Sequence, residues 1–342
     1  MSQDSALPPI SVVVPTLNEA AYIGECLDSV LASLAPVGGE VLVVDGGSTD
    51  GTRDLVARHA AGHPEVRLVE NPARVTPQAF NLGIRAARHP LVAIISAHSR
   101  VAPDFFTAAR RRIAAGEADI VGGPVVTEPG APGLTGWLLA QVVSHPFGVG
   151  NSRFRVSTEA AYVDAVPFAL FRREVFDRVG LFDTGLVRNQ DTEFFGRVGR
   201  AGLRVFLDPA VRSVYRARGT LPGLLQQGFR NAYWNVRVWR QNPAAFRWRH
   251  AIPGLFTLSL LAGAALAPWV PLIRWLLALE VGAYALAAVA AGTHIALRTR
   301  RAAALLLPPV FFLYHFCYGA GSLAGARWLA GRGGETAEPE EG

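Results

Sequence analysis

The 342-residue chain contains no lysine, so all 33 of its fixed basic side chains are arginines, a bias that coding composition explains as readily as chemistry. Cysteine is nearly as scarce. Cys26 and Cys317 stand far apart in dissimilar surroundings, which argues against a disulfide framework. The opening MSQDSALPPI has neither a basic start nor an apolar core, so no signal peptide is expected and the amino-terminal part is expected to stay in the cytosol. A basic run with interleaved aromatics is also missing from the soluble part, and no nucleic-acid partner is expected. The net charge of +6 suits instead an anionic membrane surface or a phosphate-rich ligand.

What the sequence does contain is unevenly spread. Half of the residues are hydrophobic and the excess lies after residue 250, so the length accommodates a soluble part followed by an apolar one. Residues 41–52, VLVVDGGSTDGT, have the composition of a short buried strand ending at Asp45, a turn freed by Gly46 and Gly47, and a helix beginning near Thr52. Ser48, Thr49 or Asp50 can cap that helix. Further strands are expected at 10–15, 66–69, 91–95, 120–126 and 203–207, with helices at 22–31, 52–61, 79–87 and 104–115. This alternation predicts a mostly parallel sheet wrapped by helices, in which a carboxylate at the carboxyl end of a strand is placed to meet a ligand.

Four segments in a fixed order resemble the motifs of family 2 glycosyltransferases: VVPTLNE at 13–19, DGGSTDGT at 45–52, RVTPQAFNLG at 74–83 and NQD at 189–191. Those enzymes have the nucleotide-sugar-binding fold called GT-A and invert the anomeric configuration of the sugar. GGPV at 122–125, PFGVGNSRF at 146–154, VDAVPF at 163–168 and LFD at 181–183 are similar to the membrane-bound branch that includes the succinoglycan glucosyltransferases. The resemblance implies an α/β fold, a GT-A domain with a mostly parallel mixed sheet, followed by an α-helical transmembrane region.

It also implies roles for individual residues. Pro15, Asn18 and Glu19 would lie along the nucleotide, and Asp45 would accept a hydrogen bond from a uracil base, whose N–H suits a carboxylate acceptor. Arg74 would face the base or the diphosphate, and Asn81 would order the loop. Ser96-Ala97-His98 stands where the family carries Asp-x-Asp, two carboxylates that hold Mg²⁺ or Mn²⁺ against the donor phosphates. With Ser96 in place of the first Asp, His98 is left as a weak metal ligand beside Ser96 at the donor, and Arg74, Arg100 or Arg153 are alternative sources of positive charge. Asp191 is assigned as the general base, because displacement with inversion needs a base opposite the leaving group, and Glu193 as an auxiliary or salt-bridged residue. Gln227 and Arg230 keep the Gln-x-x-Arg spacing of related synthases, although Asn231 replaces their Trp; with Arg153 they are expected at the acceptor or diphosphate.

Apolar runs at 251–271, 275–291 and 302–326 are long enough to span a bilayer. Arg237, Arg240, Arg247 and Arg249 before the first run, and Arg298, Arg300 and Arg301 after the second, put those flanks on the cytosolic side; the third run either crosses or turns back. The expected organisation is a flexible start (1–9), a GT-A domain (10–218), amphipathic interface helices (219–250), a region of two or three spans (251–330) and an acidic tail (331–342). The expected function is transfer of a hexose from a UDP-sugar to a polyprenyl-diphosphate-linked saccharide at the cytosolic face of the inner (plasma) membrane, in exopolysaccharide or cell-envelope glycan synthesis. The lipid bilayer and polysaccharide-assembly proteins are the expected partners. Transfer to polyprenyl phosphate itself is an alternative, and the Ser at position 96 keeps open a catalytically silent homologue that acts as a lipid- or partner-binding scaffold.

Overall fold

A computed structural model describes residues 7–150, 152–156 and 159–329. The acidic tail, Asn151 of the glycine-flanked loop and most of the expected flexible start lie outside the described residues. Two compact units divide the chain: residues up to 126 and those before 216 on the far side of residue 156 form the first, while 127–156 join the carboxyl-terminal helices in the second.

In chain order the first unit opens with β1 (Ile10–Thr16), α1 (Ile23–Leu34), β2 (Gly39–Asp45), α2 (Thr52–Gly62), β3 (Val66–Glu70) and α3 (Thr76–Ala86). It continues with β4 (Leu91–Ile94), β5 (Ser99–Val101), α4 (Phe105–Ala114) and β6 (Ile120–Gly122). β7 (Val125–Glu128) leads into α5 (Gly133–Ser144), α6 (Pro146–Val149) and α7 (Arg153–Val156). The first unit resumes with β8 (Ala161–Tyr162), β9 (Leu170–Arg172), α8 (Glu174–Val179), α9 (Gln190–Arg200), β10 (Val205–Leu207) and β11 (Ser213–Arg216). The second ends with α10 (Leu221–Gln241), α11 (Trp248–Leu266), α12 (Pro271–Thr299) and α13 (Leu307–Gly325).

The first unit is built on an eight-stranded sheet ordered β3-β2-β1-β4-β9-β6-β10-β8. The valine-rich runs of β1 and β2 are buried on both faces, as parallel strands under crossover helices must be. β3, β2, β1 and β4 run parallel, and β9 enters antiparallel between β4 and β6. The apolar stripe of α1, Ile23, Cys26, Leu27, Val30 and Leu31, packs into the same core as Val12, Val14 and Val43. Where one strand was expected at 120–126, two short ones form. Gly123 separates them, and a Cβ there would fall 1.7 Å from the Val211 carbonyl oxygen, so the chain passes too close to 211 to carry a side chain. The order also fixes a switch point, because the chain leaves β1 toward β2 on one side and returns to β4 on the other.

The second unit is helical. α10 and α13 lie side by side and parallel: a Cβ on Gly228 would meet Tyr314, and one on Gly321 would fall 2.2 Å from the Phe229 carbonyl oxygen. Glycine at 321 is what permits so close an approach of two helices. The Asn235 amide donates to the Tyr318 hydroxyl at 2.8 Å across the same contact. Leu138, Leu139 and Val142 of α5 share a core with Ile295, Leu307 and Phe311. α11 and α12 form a hairpin in which Phe256 stacks on Tyr284 and the Ser259 hydroxyl donates to the Glu280 carboxylate. Glu280, inside an apolar helix, thus finds a polar partner within the hairpin. The three helical segments Trp248–Leu266, Pro271–Thr299 and Ala302–Trp328 are long and apolar enough to cross a membrane.

Candidate donor and catalytic site

The carboxyl ends of β1, β2 and β4 meet at the switch point of the first unit. Thr16 pairs with Asp45 in register, and the Gly46 N–H donates to the Thr16 carbonyl at 2.8 Å. The loop after β1 is laced to the loop after β2. The Asn18 N–H donates to Ser48 Oγ (2.8 Å), the Thr49 N–H to Asn18 Oδ1 (2.9 Å), and the Glu19 N–H to Thr52 Oγ1 (2.8 Å). Asn18 adopts a left-handed φ of 53°, which asparagine tolerates better than most residues. Pro15, at the end of β1 and half-buried, has no N–H to give and opens this loop.

Asp45 is 1% exposed and turned inward. Its carboxylate accepts the Gly47 N–H (2.9 Å), the Ser48 N–H (3.1 Å) and the Ser48 hydroxyl, and it pairs with Arg53 Nη1 at 3.0 Å. In this state Asp45 organises its own turn. Arg53, which also grips Glu70, is a site residue that the motif comparison passed over; the register that sets Asp45 beside Glu70 is the signal that marks it. Arg74 has a φ of 58°, and its Nη1 lies 3.5 Å from where a Cβ on Gly47 would sit, so its guanidinium covers the turn after β2.

Across the switch point Glu19 Oε1 and His98 Nδ1 are 2.9 Å apart, joining the loop after β1 to the loop after β4. Ser96 Oγ lies 3.2 Å from the same imidazole. Burial pushes the nearby Cys26 thiol up to about 12, and its Sγ faces the Ser96 carbonyl at 3.5 Å, so it is an inert core thiol.

Asn81 stands apart from these loops. It is buried in α3, where its Nδ2 donates to the Phe182 carbonyl at 2.8 Å and its Oδ1 accepts the Phe182 N–H at 2.9 Å. Phe182 in turn stacks on Phe194 of α9 with centroids 4.4 Å apart. Arg197 of α9 donates to the carbonyls of Val179 and Leu181, and its ion pair with Glu193 measures 2.9 Å. The two carboxylates in the first turn of α9 are thus used differently. Glu193 is buried and paired, whereas Asp191 is exposed, accepts the Thr192 N–H at 2.8 Å and pairs with no cation among the described residues. Desolvation by the surrounding protein pushes the Asp191 carboxyl above the ordinary carboxylate range, opposed by its hydrogen bonds with Thr192.

The family model described as glycosyl transferase family 2 matches residues 11–180. The chain belongs to this family. A succinoglycan biosynthesis protein, ExoA, of Rhizobium meliloti is 29% identical over 94% of this chain and 96% of its own length. Dolichyl N-acetyl-alpha-D-glucosaminyl phosphate 3-beta-D-2,3-diacetamido-2,3-dideoxy-beta-D-glucuronosyltransferase of Methanococcus voltae is 24% identical over 90% of this chain and 93% of its own. Among solved structures, the mannosyltransferase PcManGT of Pyrobaculum calidifontis, in complex with GDP-Man and Mn²⁺, matches with a TM-score of 0.57 at 22% identity, over 93% of this chain and 89% of that one.

As a family 2 glycosyltransferase the chain is an enzyme that transfers a sugar, on a GT-A-like mixed α/β domain. Residues 96–98 depart from the Asp-x-Asp pattern that the family resemblance implies for a metal site. A hydroxyl, an imidazole and one carboxylate already bonded to that imidazole do not fit the hard, carboxylate-rich set that Mg²⁺ prefers. No cluster of three or more His, Cys, Asp or Glu occurs among the described residues. Arg153, Gln227 and Arg230 all belong to the second unit, Arg153 exposed in α7 and the other two half-buried in α10.

Proposed function

We propose that the chain transfers a hexose, with inversion, from a UDP-sugar to a polyprenyl-diphosphate-linked saccharide at the cytosolic face of the plasma membrane, in exopolysaccharide or cell-envelope glycan synthesis. The observation that carries the chemistry is the contrast in the first turn of α9, where Glu193 is neutralised by Arg197 and Asp191 is left open to solvent. Asp191 takes the proton of the acceptor hydroxyl as that oxygen attacks the anomeric carbon and the nucleoside diphosphate leaves. A pKa above the ordinary range makes it the stronger base. The loops after β1 and β2 hold the nucleotide, with Pro15, Asn18 and Glu19 along it, and Arg74 faces the diphosphate. Asp45 either exchanges an internal bond for the base N–H or acts by shaping the turn. Mg²⁺ or Mn²⁺ is the family's expectation, but no step here is routed through a metal, since the residues at 96–98 do not fit one. A lipid-linked saccharide acceptor accords with the name of the Methanococcus voltae relative.

The membrane arrangement we favour has two crossings, α11 and α12. Arg240, before α11, donates to the carbonyl of Trp328, after α13, at 2.6 Å. Groups in contact cannot lie on opposite sides of a hydrocarbon layer about 30 Å thick. α13 accordingly returns to the face from which α11 departs. A reporter fused after residue 342 should read cytosolic; a periplasmic reading would sink the two-crossing arrangement.

The test of function is transfer by the detergent-purified protein from several UDP-sugars to polyprenyl-diphosphate-linked saccharides and to polyprenyl phosphate, with Mg²⁺, with Mn²⁺ and with chelator. Product on a lipid-linked saccharide supports the reading; product on polyprenyl phosphate alone overturns the acceptor, and donor binding without turnover on any acceptor overturns the activity.

A further inference from the structure

The helical unit contains a cluster that sugar transfer does not use. The guanidinium of Arg237 lies over the rings of Trp234 and Trp328, 4.9 and 4.7 Å from their centroids. That of Arg327 lies 4.7 Å from the Tyr233 centroid and 5.8 Å from that of Trp328. Arg240 adds a third guanidinium through its bond to the Trp328 carbonyl. Stacking satisfies the faces of these cations and leaves their edges, where the N–H donors are. Among the described residues Arg237 and Arg327 donate no hydrogen bond, and none of the three arginines pairs with a carboxylate. Two neutral donors are also unspent: the Trp328 indole N–H, on a side chain only 6% exposed, and the Tyr233 hydroxyl, both buried without a partner. Buried donors left unmade cost on the order of 1–3 kcal/mol each, so a native cluster with two of them beside unpaired cations fits a site completed by an acceptor.

The place of the cluster narrows what that acceptor is. Residues 233–240 precede the first apolar helix and residues 327–328 end the last, so the guanidiniums stand at the boundary of the apolar helices, with Arg240 and Arg327 exposed. Trp248 and Leu329, also at this boundary, are 72% and 63% exposed. Tryptophan, tyrosine and arginine at such a level face lipid head groups. We infer that Arg237, Arg240, Arg327, Trp328 and Tyr233 form a binding site for the phosphate of an anionic glycerophospholipid. The phosphodiester accepts from the guanidinium edges and from the indole and phenol donors, while the acyl chains lie along the apolar helices. The site is formed by the amino-terminal flank of α11 and the carboxyl-terminal end of α13, so its lipid pins the two segments together.

Native mass spectrometry of the detergent-purified full chain tests this, with phosphatidylglycerol, phosphatidylcholine of the same acyl chains, or inorganic phosphate added. Phosphatidylglycerol should be retained over phosphatidylcholine, and Arg237→Gln and Arg327→Gln should each weaken retention roughly fivefold. Arg327→Lys keeps the charge and should retain most of the binding, which separates lost recognition from lost folding. In the unmodified protein, brominated phosphatidylglycerol should quench tryptophan emission more than brominated phosphatidylcholine, and Trp328→Phe should remove that difference. Equal retention of the two lipids, undiminished retention by the double Arg→Gln variant, or binding of inorganic phosphate without preference for phosphatidylglycerol overturns the proposal. None of these readouts depends on sugar transfer, so failure here leaves the proposed activity untouched.

Discussion

Val12, Val13, Val43 and Phe194 of the first unit are fully sealed from solvent, whereas Leu272, Leu279 and Leu286 of the second are 65%, 69% and 73% exposed. Both regions are rich in aliphatic side chains, yet one buries them inside itself and the other turns them out along α12. The first unit can satisfy its apolar surface alone; the second needs a surrounding that is itself apolar. The polar groups follow the same division. Those of the first unit are tied into named bonds, as with Asp45, Glu193 and Asn81, whereas the second keeps cations stacked on rings at its boundary.

Five substitutions, arranged in four tests, would sharpen or break this contrast. The largest effect is expected at Asp191→Asn, which should lower turnover by roughly 10²–10⁴-fold while leaving UDP binding intact. In the unmodified enzyme turnover should fall as pH drops through the Asp191 pKa, at a higher pH than an ordinary aspartate would set, because its pKa is raised. Full activity of Asp191→Asn would reassign the base.

Next, Leu279→Asp should cost about 3 kcal/mol of membrane insertion, seen as loss of carbonate-resistant protein. Leu68→Asp, on an edge strand of the first unit, should shift stability by no more than about 0.5 kcal/mol. Equal tolerance of the two would mean that α12 faces water.

Third, Asn81→Ala leaves both backbone groups of Phe182 unpaired and should cost about 2 kcal/mol, read as a lowered melting temperature. Smallest is Glu40→Gln. Burial opposes ionisation of Glu40, but Arg67, the Arg88 N–H and Ser11 outweigh it and hold the carboxyl below its ordinary 4.5. A lowered folded pKa gives stability that is present above the unfolded value and lost as pH falls through the folded one. Glu40→Gln should remove about 1 kcal/mol at neutral pH and flatten that acid-side loss in a pH series of melting curves.

The parallel half of the sheet was legible because its signals are local. Runs such as VLVV announce buried strands, and α1 shows its stripe at helical spacing. Helix α3 begins at Thr76 rather than 79 because Pro77 suits a first turn. The split at 120–128, the bond from Asn81 to Phe182 and the pairing of Glu19 with His98 depend on partners 79 to 101 residues apart, or on a backbone approach, and nothing in the local pattern encodes them. The site followed the same rule. Asp191, Glu19 and Arg74 are proposed from motif order, while the contact of Arg53 with Asp45 emerges only once β2 and β3 are set in register.

The placing of α5 has a consequence for the order in which the nascent chain can mature. Its apolar residues Leu138, Leu139 and Val142 are finally covered by Ile295, Leu307 and Phe311, which are translated far later. β11, the last strand of the first unit, is complete at residue 216, before α11 begins at 248. The sheet can therefore close early, while α5 stays exposed on the ribosome until the end of α12 and the start of α13 arrive. A greasy helix kept waiting in this way is the segment most open to aggregation or chaperone capture during synthesis.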